Sequence, residues 1–562
     1  MAVDRHGDGR GGAFDVVARA PAALVRAIDA HPWLAALTIA LVRLATTLPA
    51  LGRNSFWIDE VWTAVLAVQP LRTILHVGLH DENPPLYNLL AAGWAEVAGV
   101  SEVSMRFPSV LASAAAVASL FLVVRRFFGA EAALWSALLF LVNPQEWKWA
   151  REARAYGLVQ LLSVAEWGLF FELFARPRRR AAVALGLVEA VSVATHYATG
   201  LAFAAQAPAA AGAWRRSPRA VRLWIAAQVI AAAACAPLAW ALLGIMPVQA
   251  YSWRPVPGGH DLLRLASDLA GGRSALLWGL AVAVPVAWFL ARGARTWAAR
   301  SAEGTDSLAG RRPAQDDPPG EGWRFASLAS WAVVPLMLAW VVSQRAPMFL
   351  ARYLLFCALG WVALLGVAVA RLPWPPVGRA LVAILLAVTA SRGFGRLWPG
   401  PPWRQAVRVS AEAGAGHSLP KIVVTPTVED CMTWAWHARR DALEVVFAPV
   451  GVFEKANSFR PERLVRRLED GGVSCLRPDE IPARAPGLPS RAVLVVLPPG
   501  RSNGEAILET LRAAGFAVAE RSAPPPFRVA EISRIAGPGE PVAAPPAPGP
   551  GPSNDTRAPG GS

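Results

Sequence analysis

Long apolar runs separated by short polar connections dominate the first 391 residues of the chain. A helix of about 20 apolar residues is long enough to cross the hydrocarbon core of a bilayer. Eleven runs approach that length, at residues 33–51, 107–124, 130–144, 155–175, 181–196, 198–213, 221–245, 274–291, 325–343, 353–370 and 377–391. The pattern predicts a polytopic α-helical membrane protein whose transmembrane domain, with about eleven helices, covers residues 33–395.

Clusters of basic residues fall at every second connection between these runs. They lie at residues 125–126, 176–180, 214–222, 292–300 and 371–379. Cytoplasmic loops of membrane proteins carry an excess of Lys and Arg, so these connections are expected in the cytoplasm. The N-terminal tail, 1–32, and the linker, 292–324, belong to the same side. The first long loop, 52–106, is then extracytoplasmic, and the protein is expected to be a multi-pass protein of the cytoplasmic (inner) membrane.

The composition changes after the last apolar run. Strand-like runs at 421–425, 443–447 and 492–497 alternate with helical patterns. Such alternation is typical of a small α/β domain with a largely parallel sheet. We expect this domain over residues 396–535, outside the cytoplasm because the number of spans is odd. The Pro- and Gly-rich end of the chain, 536–562, is expected to be disordered.

The composition agrees with a membrane protein. Hydrophobic residues make up 54% of the chain, the mean hydropathy is +0.36 and charged residues make up 17%, against about 25% in soluble domains. The net charge of +15 does not indicate nucleic-acid binding, because the basic residues lie in short clusters between apolar runs. The first apolar run has no small-residue cleavage site after it, so we interpret it as a retained span.

The four cysteines are too few for a disulfide framework. Cys235 and Cys357 lie inside apolar runs, where a free cysteine is usually an inert packing residue. Cys431 and Cys475 lie in the polar C-terminal region and can pair only if that region is outside the cytoplasm. The sequence leaves open whether they do, because it does not give their separation in space.

Acidic residues are concentrated in the first extracytoplasmic loop. Asp59 and Glu60 follow an aromatic-rich entry, and Asp81 and Glu82 precede the rigid step Asn83-Pro84-Pro85. Two adjacent acids in a loop are often only solvated. At a membrane boundary, however, charge in hydrocarbon costs at least a few kcal/mol, so we expect these acids to face a water-filled cavity.

Three arginines lie at span entrances on the side of the membrane that should be poor in them. They are Arg151, Arg154 and Arg352. Each one alone is explained by an arginine that reaches lipid headgroups with its long side chain. Three arginines on the face that carries the acidic pair instead indicate an anionic ligand.

Several short motifs in a fixed order carry a resemblance to a known family. They are Asp59-Glu60, Asn83-Pro84-Pro85-Leu86-Tyr87, Ser104-Met105-Arg106-Phe107-Pro108-Ser109, Ala150-Arg151-Glu152-Ala153-Arg154-Ala155-Tyr156, Thr195-His196-Tyr197, Ala351-Arg352-Tyr353-Leu354 and Pro402-Trp403-Arg404-Gln405. Together they resemble the bacterial GT-C membrane glycosyltransferases, which include relatives of protein O-mannosyltransferases (family 39), the aminoarabinose transferases that act on lipid A and the RgtA/B/C/D-like group. The resemblance covers roughly residues 42–391.

The resemblance implies a chemistry and roles for the acids and arginines. GT-C enzymes of this branch move one sugar, with inversion, from a polyprenyl-phosphate donor to an acceptor hydroxyl on the outer face of the membrane. Asp59 matches the catalytic position, with Glu60 beside it, and a carboxylate at a partly desolvated boundary is a suitable base. A phosphate leaving group needs positive charge, for which Arg352 is the first candidate. Arg151 and Arg154 are either co-ligands of the phosphate or partners of the loop acids.

Other residues of the motifs have two interpretations each. Tyr87, Tyr156 and Tyr353 either bind phosphate or sugar or belong to the aromatic belt at the membrane interface. His196 is either a substrate ligand or a buried polar residue with a structural partner.

Arg106 and Asp81 also have a structural interpretation. Arg106 is expected to pair with Asp81 or Glu60 and so to fix the loop, although both Arg106 and Asp81 remain candidates for substrate binding.

The loop departs from the family pattern at one position. Many relatives carry His directly before the Pro-Pro step, whereas this chain has Asn83 there and His80 three residues earlier. A metal site with His ligands is therefore doubtful, and no zinc-ligand spacing occurs elsewhere. We expect no cofactor, although an acidic pair can hold a divalent cation. The expected partners are a polyprenyl-phosphate-linked sugar donor, an envelope lipid, glycan or protein acceptor, and membrane lipids.

Two hypotheses of other classes remain. A transporter or flippase for a lipid-linked sugar would place ionisable residues near span midpoints and would break helices in related halves. A membrane-anchored binding protein would recognise its ligand with the C-terminal domain, so deletion of residues 399–562 would remove all function.

Overall fold

The computed structural model describes residues 23–249, 255–270, 319–372, 374–392, 402–413, 419–438, 440–448, 459–497, 503–523 and 525–535. Residues 1–22 of the expected N-terminal tail, the predicted span 274–291, most of the linker 292–324 and the expected disordered tail 536–562 lie outside these residues. Contacts divide the described chain into two compact units. The helical unit holds residues 23–53 and 63–392, and the sheet unit holds 54–62 and the described residues after 402. The division falls within the helix Ile58–Ala67, after Trp62.

The helical unit consists of α-helices and short 3₁₀ turns. Its helices are Pro32–Thr47, Leu71–His80, Pro85–Ala98, Glu102–Phe128, Ala130–Val142, Pro144–Trp149, Tyr156–Ala175, Arg179–Thr195, Gly200–Ala213, Pro218–Gln249, Gly259–Leu269, Glu321–Val342, Leu355–Arg371 and Pro376–Ser391. The 3₁₀ turns are Leu48–Ala50, Tyr197–Thr199 and Ala351–Leu354.

Six helices of the described chain are long and apolar enough to cross a membrane. They are Pro32–Ala50, Glu102–Phe128, Tyr156–Ala175, Pro218–Ala241, Glu321–Val342 and Ala351–Arg371. The other predicted spans coincide with shorter helices, apart from 274–291. A helix of 13 residues such as Ala130–Val142 is ~20 Å long, which is less than the usual hydrocarbon thickness. Apolar runs therefore predict these helices correctly but do not by themselves give their lengths.

The helix Leu355–Arg371 forms the centre of the helical unit, with every residue from Leu355 to Ala370 buried. Glycines allow its backbone to approach two neighbours. A Cβ atom at Gly360 would lie 2.6 Å from the backbone nitrogen of Ala332, and one at Gly366 would lie 2.6 Å from that of Ser136. Because lipid is as apolar as the side chains, such close small-residue contacts are a main source of helix association in membranes.

Ionisable side chains also lie inside apolar helices, which the sequence interpretation missed. Arg43 donates from Nε to Ser113 Oγ at 3.1 Å and from Nη2 to the carbonyl oxygen of Glu146 at 2.6 Å. Glu166 accepts a hydrogen bond from Ser192, and both carboxylate oxygens of Glu189 lie 3.0 Å from Gln228 Nε2. Charge within a span is costly unless it is paired or hydrogen-bonded, and each of these groups has a polar partner on another helix.

Basic residues of the predicted cytoplasmic connections form ion pairs. The pairs are Arg125–Asp29 at 3.0 Å, Arg126–Glu172, Arg371–Glu321 at 2.5 Å and Arg379–Glu131 at 3.3 Å. Arg324 and Arg371 also donate to the last carbonyl groups of the helix Glu102–Phe128, those of Phe127 and Phe128. These clusters therefore lie at one end of the helical unit, although half-exposed pairs of this kind add little stability.

The sheet unit contains five strands, β1 to β5. They are Lys421–Val424, Val473–Leu476, Arg491–Val496, Phe516–Arg521 and Arg528–Arg534, in the spatial order β2-β1-β3-β5-β4. β1 pairs in parallel with β2 and β3, whereas β5 pairs antiparallel with β3 and β4. The sheet is thus mixed and not largely parallel, because the short turn between β4 and β5 permits a hairpin and no crossover helix.

Helices cover this sheet. They are Trp403–Ala413, Val428–Ala438, Pro461–Asp470, Ile481–Arg484 and Asn503–Ala513, with 3₁₀ turns at Arg440–Val445, Pro478–Glu480 and Ala485–Gly487. The run 443–447, predicted as a strand, is mainly the turn Arg440–Val445, followed by a single antiparallel bridge between Phe447 and Phe459. Leu443, Val446 and Phe447 are buried, and a short buried apolar run does not by itself distinguish a strand from a turn.

The core of the sheet unit is formed by buried residues of the strands and of the helix Asn503–Ala513, among them Ile422, Leu494, Val496, Leu508, Leu511, Phe516 and Ile532. A disulfide joins Cys431 on the helix Val428–Ala438 to Cys475 on β2, with Cα atoms 6.4 Å apart. Cys235 and Cys357 are free.

Candidate active site

The loop 52–106 is largely helical. Its helices Ile58–Ala67, Leu71–His80 and Pro85–Ala98 follow one another closely. Pro84 is extended and Pro85 is the first helical residue, which is where proline fits a helix without losing a hydrogen bond. A Cβ atom at Gly78 would lie 2.5 Å from Pro85 Cα. The Pro-Pro step therefore starts its helix against the preceding one, in a fixed direction.

The two adjacent acids have different surroundings at the start of the helix Ile58–Ala67. The carbonyl oxygen of Trp57 accepts hydrogen bonds from the backbone N–H groups of Glu60 and Val61, each at 3.0 Å. In return, Glu60 Oε2 accepts from the backbone N–H of Trp57 at 3.4 Å. This is the half of a capping box in which an acid three residues into the helix satisfies the cap. Glu60 is buried and Asp59 is half-buried.

In the helical unit, Arg154 connects three parts of the chain. Its guanidinium group donates from Nη1 to Thr63 Oγ1 at 3.3 Å and from Nη2 to Asn83 Oδ1 at 3.0 Å. Its carbonyl oxygen accepts from Ser109 Oγ at 2.8 Å, and that hydroxyl lies 3.1 Å from the hydroxyl of Tyr87. Asn83, directly before the Pro-Pro step, thus acts as a hydrogen-bond acceptor for a buried arginine.

Aromatic side chains surround Arg352. Ring centres are 5.3 Å apart for Trp149 and Tyr156, 6.3 Å for Tyr156 and His196, and 5.0 Å for His196 and Tyr353. The guanidinium carbon of Arg352 lies 6.0 Å from the ring centre of Trp149 and 5.4 Å from that of Tyr353. Cation–π contacts of this kind fix the position of a guanidinium group.

The same region gathers positive charge. The charges of Arg154 and Arg352 both act on the ring of His196. Lys148 lies with Nζ 4.2 Å from the ring centre of Trp149. Burial lowers the pKa of Lys148, the charges of Arg352 and Arg151 lower it further, and Glu152 opposes them. We call Lys148, Arg151, Arg154 and Arg352 the cationic cluster; a phosphate group would relieve its mutual repulsion.

Lys148 was not among the residues singled out in the sequence, although it lies in the same connection as Arg151 and Arg154. Its position between Trp147 and Trp149, on the side of the membrane predicted to be poor in basic residues, could have indicated a functional role. Arg151 packs on Trp147, with its guanidinium carbon 3.5 Å from the ring centre and Nε donating to the Trp147 carbonyl at 3.2 Å.

Two further predicted residues have roles in the loop itself. Arg106 is buried and donates from Nη1 to the carbonyl oxygen of Leu51 at 2.5 Å, so it holds the chain where the loop begins. Asp81 accepts from the backbone N–H of Glu82 at 2.6 Å. Burial raises the pKa of the Tyr197 hydroxyl to about 12, with the negative charge of Asp81 as a second cause. Tyr197, which belongs to the motif Thr195-His196-Tyr197 but was assigned no role, is therefore a protonated hydroxyl near Asp81.

A buried carboxyl group lies next to the cationic cluster along the chain. Glu146, in the connecting helix Pro144–Trp149, accepts from Gln160 Nε2. Burial raises the pKa of Glu146 to about 8, against the opposing effects of Arg43 and Gln160. The residues that the structure describes contain no group of three or more His, Cys, Asp or Glu side chains able to hold a metal ion.

Of the predicted site residues in the helical unit, Arg154, Tyr156, His196, Arg352 and Tyr353 lie together around the cationic cluster. Tyr87 is connected to Arg154 through Ser109, whereas Arg106 and Asp81 lie in contacts of the loop. Asp59 and Glu60 belong to the sheet unit.

Comparison with known proteins gives a family match for one segment and a fold for most of the chain. Residues 82–240 match the family described as dolichyl-phosphate-mannose-protein mannosyltransferase. The chain is 16% identical to ArnT from Cupriavidus metallidurans, and the match covers 91% of this chain and 100% of ArnT, with TM-scores of 0.52 for the apo state and 0.51 for the structure bound to undecaprenyl phosphate. It is 11% identical to the oligosaccharyltransferase AglB from Archaeoglobus fulgidus over 88% of this chain and 73% of AglB, with a TM-score of 0.43.

No curated protein matches the chain by sequence. The likeness to ArnT shows the fold, and the matched segment 82–240 includes Tyr87, Arg154 and His196. Residues 82–240 are therefore similar to one family, and the chain as a whole shares the fold of ArnT.

Proposed function

We propose that the chain transfers one sugar, with inversion, from a polyprenyl-phosphate donor to a hydroxyl group of an envelope lipid, glycan or protein. The reaction takes place at the outer face of the cytoplasmic membrane. The observation that carries this proposal is the convergence of Arg154, Arg352 and Lys148 beside aromatic rings in the helical unit.

The cationic cluster suits a glycosyl phosphate. As the bond between the sugar and the phosphate breaks, negative charge grows on the phosphate oxygens, and fixed positive groups stabilise it without a proton transfer. Arg352 is the first candidate for this contact, with Lys148, Arg151 and Arg154 as co-ligands. Tyr156, His196 and Tyr353 present ring faces and polar edges of the kind that bind a sugar.

Asp59 is the proposed base that accepts the proton of the acceptor hydroxyl. It is half-buried in the first turn of its helix, and its place in the motif order matches the family's catalytic position. Glu60 caps the same helix, so we assign it to holding the helix start beside Asp59. Tyr87, Asp81 and Arg106 complete the proposed binding loop.

A polyprenyl-phosphate donor is supported by the fold. One structure of ArnT, which shares that fold, contains undecaprenyl phosphate. The matched family is named for a sugar carried on dolichyl phosphate, a lipid of the same class.

The proposed topology has about eleven spans and an extracytoplasmic α/β domain over residues 396–535. The disulfide Cys431–Cys475 supports this placement, because disulfides persist outside the reducing cytoplasm. The ion pairs that gather the basic clusters at one end of the helical unit support a cytoplasmic location for that end.

The test is a mass analysis of envelope lipids, glycans and proteins from cells with and without the gene. We expect loss of one sugar from one acceptor and accumulation of its polyprenyl-phosphate donor. An unchanged envelope together with no transfer by the purified protein, supplied with lipid-phosphate sugars, would contradict the proposal.

A flippase for a lipid-linked sugar is the alternative, and the buried Glu166 and Glu189 favour it because they are ionisable groups inside apolar helices. The hydrogen bonds of both carboxyl groups to neighbouring helices also fit a purely structural role. Transbilayer movement of a fluorescent polyprenyl-phosphate sugar in vesicles separates the two hypotheses. A transferase leaves the lipid in its leaflet and consumes the sugar only when an acceptor is present.

A further inference from the structure

The acidic segment 54–62 is anchored at both of its ends to the C-terminal part of the sheet unit. Near its start, the fully buried ring of Phe56 lies 5.5 Å from the ring of Trp436. At its end, the ring of Trp62 lies edge-on to Phe447 at 5.4 Å and to Phe459 at 5.0 Å, with an interplanar angle of 71° in each case. Asp59 lies midway between the two anchored aromatic residues.

Polar contacts accompany the ring contacts at the start of the segment. The backbone N–H of Arg404 donates to Ser55 Oγ at 3.1 Å. His437 Nε2 lies 3.5 Å from the carbonyl oxygen of Phe56. The segment is therefore fixed through its backbone as well as its side chains.

The anchoring residues come from parts of the sheet unit that are themselves tied together. Phe447 and Phe459 form the antiparallel bridge, which Arg460 extends by donating its backbone N–H to the Val446 carbonyl at 2.7 Å. Trp436 lies on the helix Val428–Ala438, which the disulfide from Cys431 joins to the sheet. The ring contacts are thus made to a scaffold of secondary structure and not to a free loop.

We propose that Phe56, Trp62, Trp436, Phe447 and Phe459 form an aromatic clamp through which the C-terminal domain positions Asp59. The clamp residues are positioning residues and touch neither sugar nor phosphate. This inference rests on the proposed function, because Asp59 is the proposed base. A base displaced by about 1 Å from its productive position can lose about 100-fold in rate, so a domain outside the helical unit would control the chemical step.

The test compares Trp62→Ala with Trp62→Phe and Phe459→Leu in the full-length purified protein. We expect Trp62→Ala to lower kcat by about tenfold or more with a KM for the donor within about threefold of the wild type. Trp62→Phe keeps an aromatic ring at the bridge and should recover most of the rate. Phe459→Leu, which keeps an apolar side chain there, should fall between them.

The matched control is Phe527→Leu. Phe527 packs on Trp403 in the same unit, with ring centres 4.6 Å apart, and has no part in the clamp. Its loss weakens the domain core to a similar degree but should leave kcat unchanged. Hydrogen exchange should become faster in residues 54–62 of the clamp variants and stay unchanged there in Phe527→Leu.

The outcomes separate the clamp from the proposed function. If the wild type transfers no sugar, the function itself is wrong. If the wild type is active and Trp62→Ala matches Phe527→Leu in both kcat and exchange, the clamp is wrong. A rise in KM with an unchanged kcat would also overturn it, since that result assigns these residues to substrate binding. If Trp62→Ala does not accumulate in membranes, the same comparison applies to Phe459→Leu and Trp62→Phe.

Discussion

Adjacent acids can have different tasks because a helix start treats successive positions differently. Glu60 is buried and reaches back to the N–H of Trp57, whereas Asp59 is half-buried one position earlier. The resemblance put Asp59 at the catalytic position, but the sequence indicated no separate task for Glu60. The different roles of the two acids depend on the residue at which the helix begins. The aromatic residues around Asp59 do not indicate that residue.

This difference predicts that the enzyme tolerates an amide in place of the Glu60 carboxylate but does not tolerate truncation of the side chain. Glu60→Gln keeps an oxygen acceptor for the cap and should retain most of the transfer rate. Glu60→Ala removes the acceptor, at a cost of about 1 kcal/mol, and should lower both the melting temperature and kcat. Transfer rates and thermal unfolding of the two variants check this. A Glu60→Gln variant as inactive as Glu60→Ala would instead make the carboxylate itself catalytic.

Arg352 should not be replaceable by lysine. Lysine keeps the charge but loses the planar fork and the stacking on Trp149 and Tyr353, so we expect Arg352→Lys to raise the KM for the donor about tenfold, in line with ~1.4 kcal/mol of lost binding. Arg126→Lys, in the half-exposed ion pair with Glu172, is the control and should leave the KM unchanged. Equal effects of the two substitutions would remove Arg352 from the donor site.

At the scale of elements, the apolar runs predicted most helices but not their lengths or their polar partners. The loop 52–106 contains three helices whose apolar faces were too short to stand out. Glu166 and Glu189 were hidden within apolar runs, since one acid hardly changes the average of a long window. In the C-terminal region, β1 and β3 coincide with predicted strand-like runs. The hairpin β4–β5 was missed because its charged residues, such as Glu520 and Arg528, interrupt the apolar pattern expected of a buried strand.

The connecting helix Pro144–Trp149 should make stability depend on pH through Glu146. The pKa of this carboxyl group is about 8 in the folded protein, against an ordinary value of 4.5. Between these values the folded state binds a proton that the unfolded state lacks. Stability is therefore greatest below the ordinary value and falls as the pH rises toward about 8, by about 1.4 kcal/mol per pH unit at most.

Melting temperatures in detergent between pH 5 and pH 9 check this prediction. The wild type should lose stability over the lower part of that range and level off near the top. Glu146→Gln cannot titrate and should show a flatter profile, while Glu131→Gln, in a half-exposed ion pair, serves as the control. Parallel profiles for the wild type and Glu146→Gln would contradict the role of this carboxyl group.

For the whole molecule, the order of short motifs gave more information than any one of them. Residues up to 269 positions apart in sequence meet around the cationic cluster of the helical unit. They are Asn83, Arg154, Tyr156, His196 and Arg352. The ring contacts of residues 54–62 with the C-terminal domain were not foreseeable, because Trp436 and Phe459 lie outside the family motifs, which reach this domain only at Pro402-Trp403-Arg404-Gln405. They also change the meaning of a deletion, since the clamp alone predicts that removal of residues 399–562 abolishes transfer, whether or not the domain recognises a ligand.

The disulfide predicts both a location and a contribution to stability. If the C-terminal domain is extracytoplasmic, alkylation and mass analysis of the protein from cells should find Cys431 and Cys475 oxidised and Cys357 reduced. Closing a loop with a sequence separation of 44 residues is worth up to about 4 kcal/mol by chain entropy. Cys475→Ser should therefore lower the melting temperature. Fully reduced cysteines in the folded protein from cells would contradict the location.

The most direct test of the central claim is single-turnover transfer by purified wild type and Asp59→Asn, with a polyprenyl-phosphate sugar and the acceptor identified from cells. We predict that the wild type releases polyprenyl phosphate and forms a product of inverted anomeric configuration. Asp59→Asn should bind the donor with similar affinity and form essentially no product. Full activity of Asp59→Asn, or a product that retains the configuration of the donor, would contradict the account.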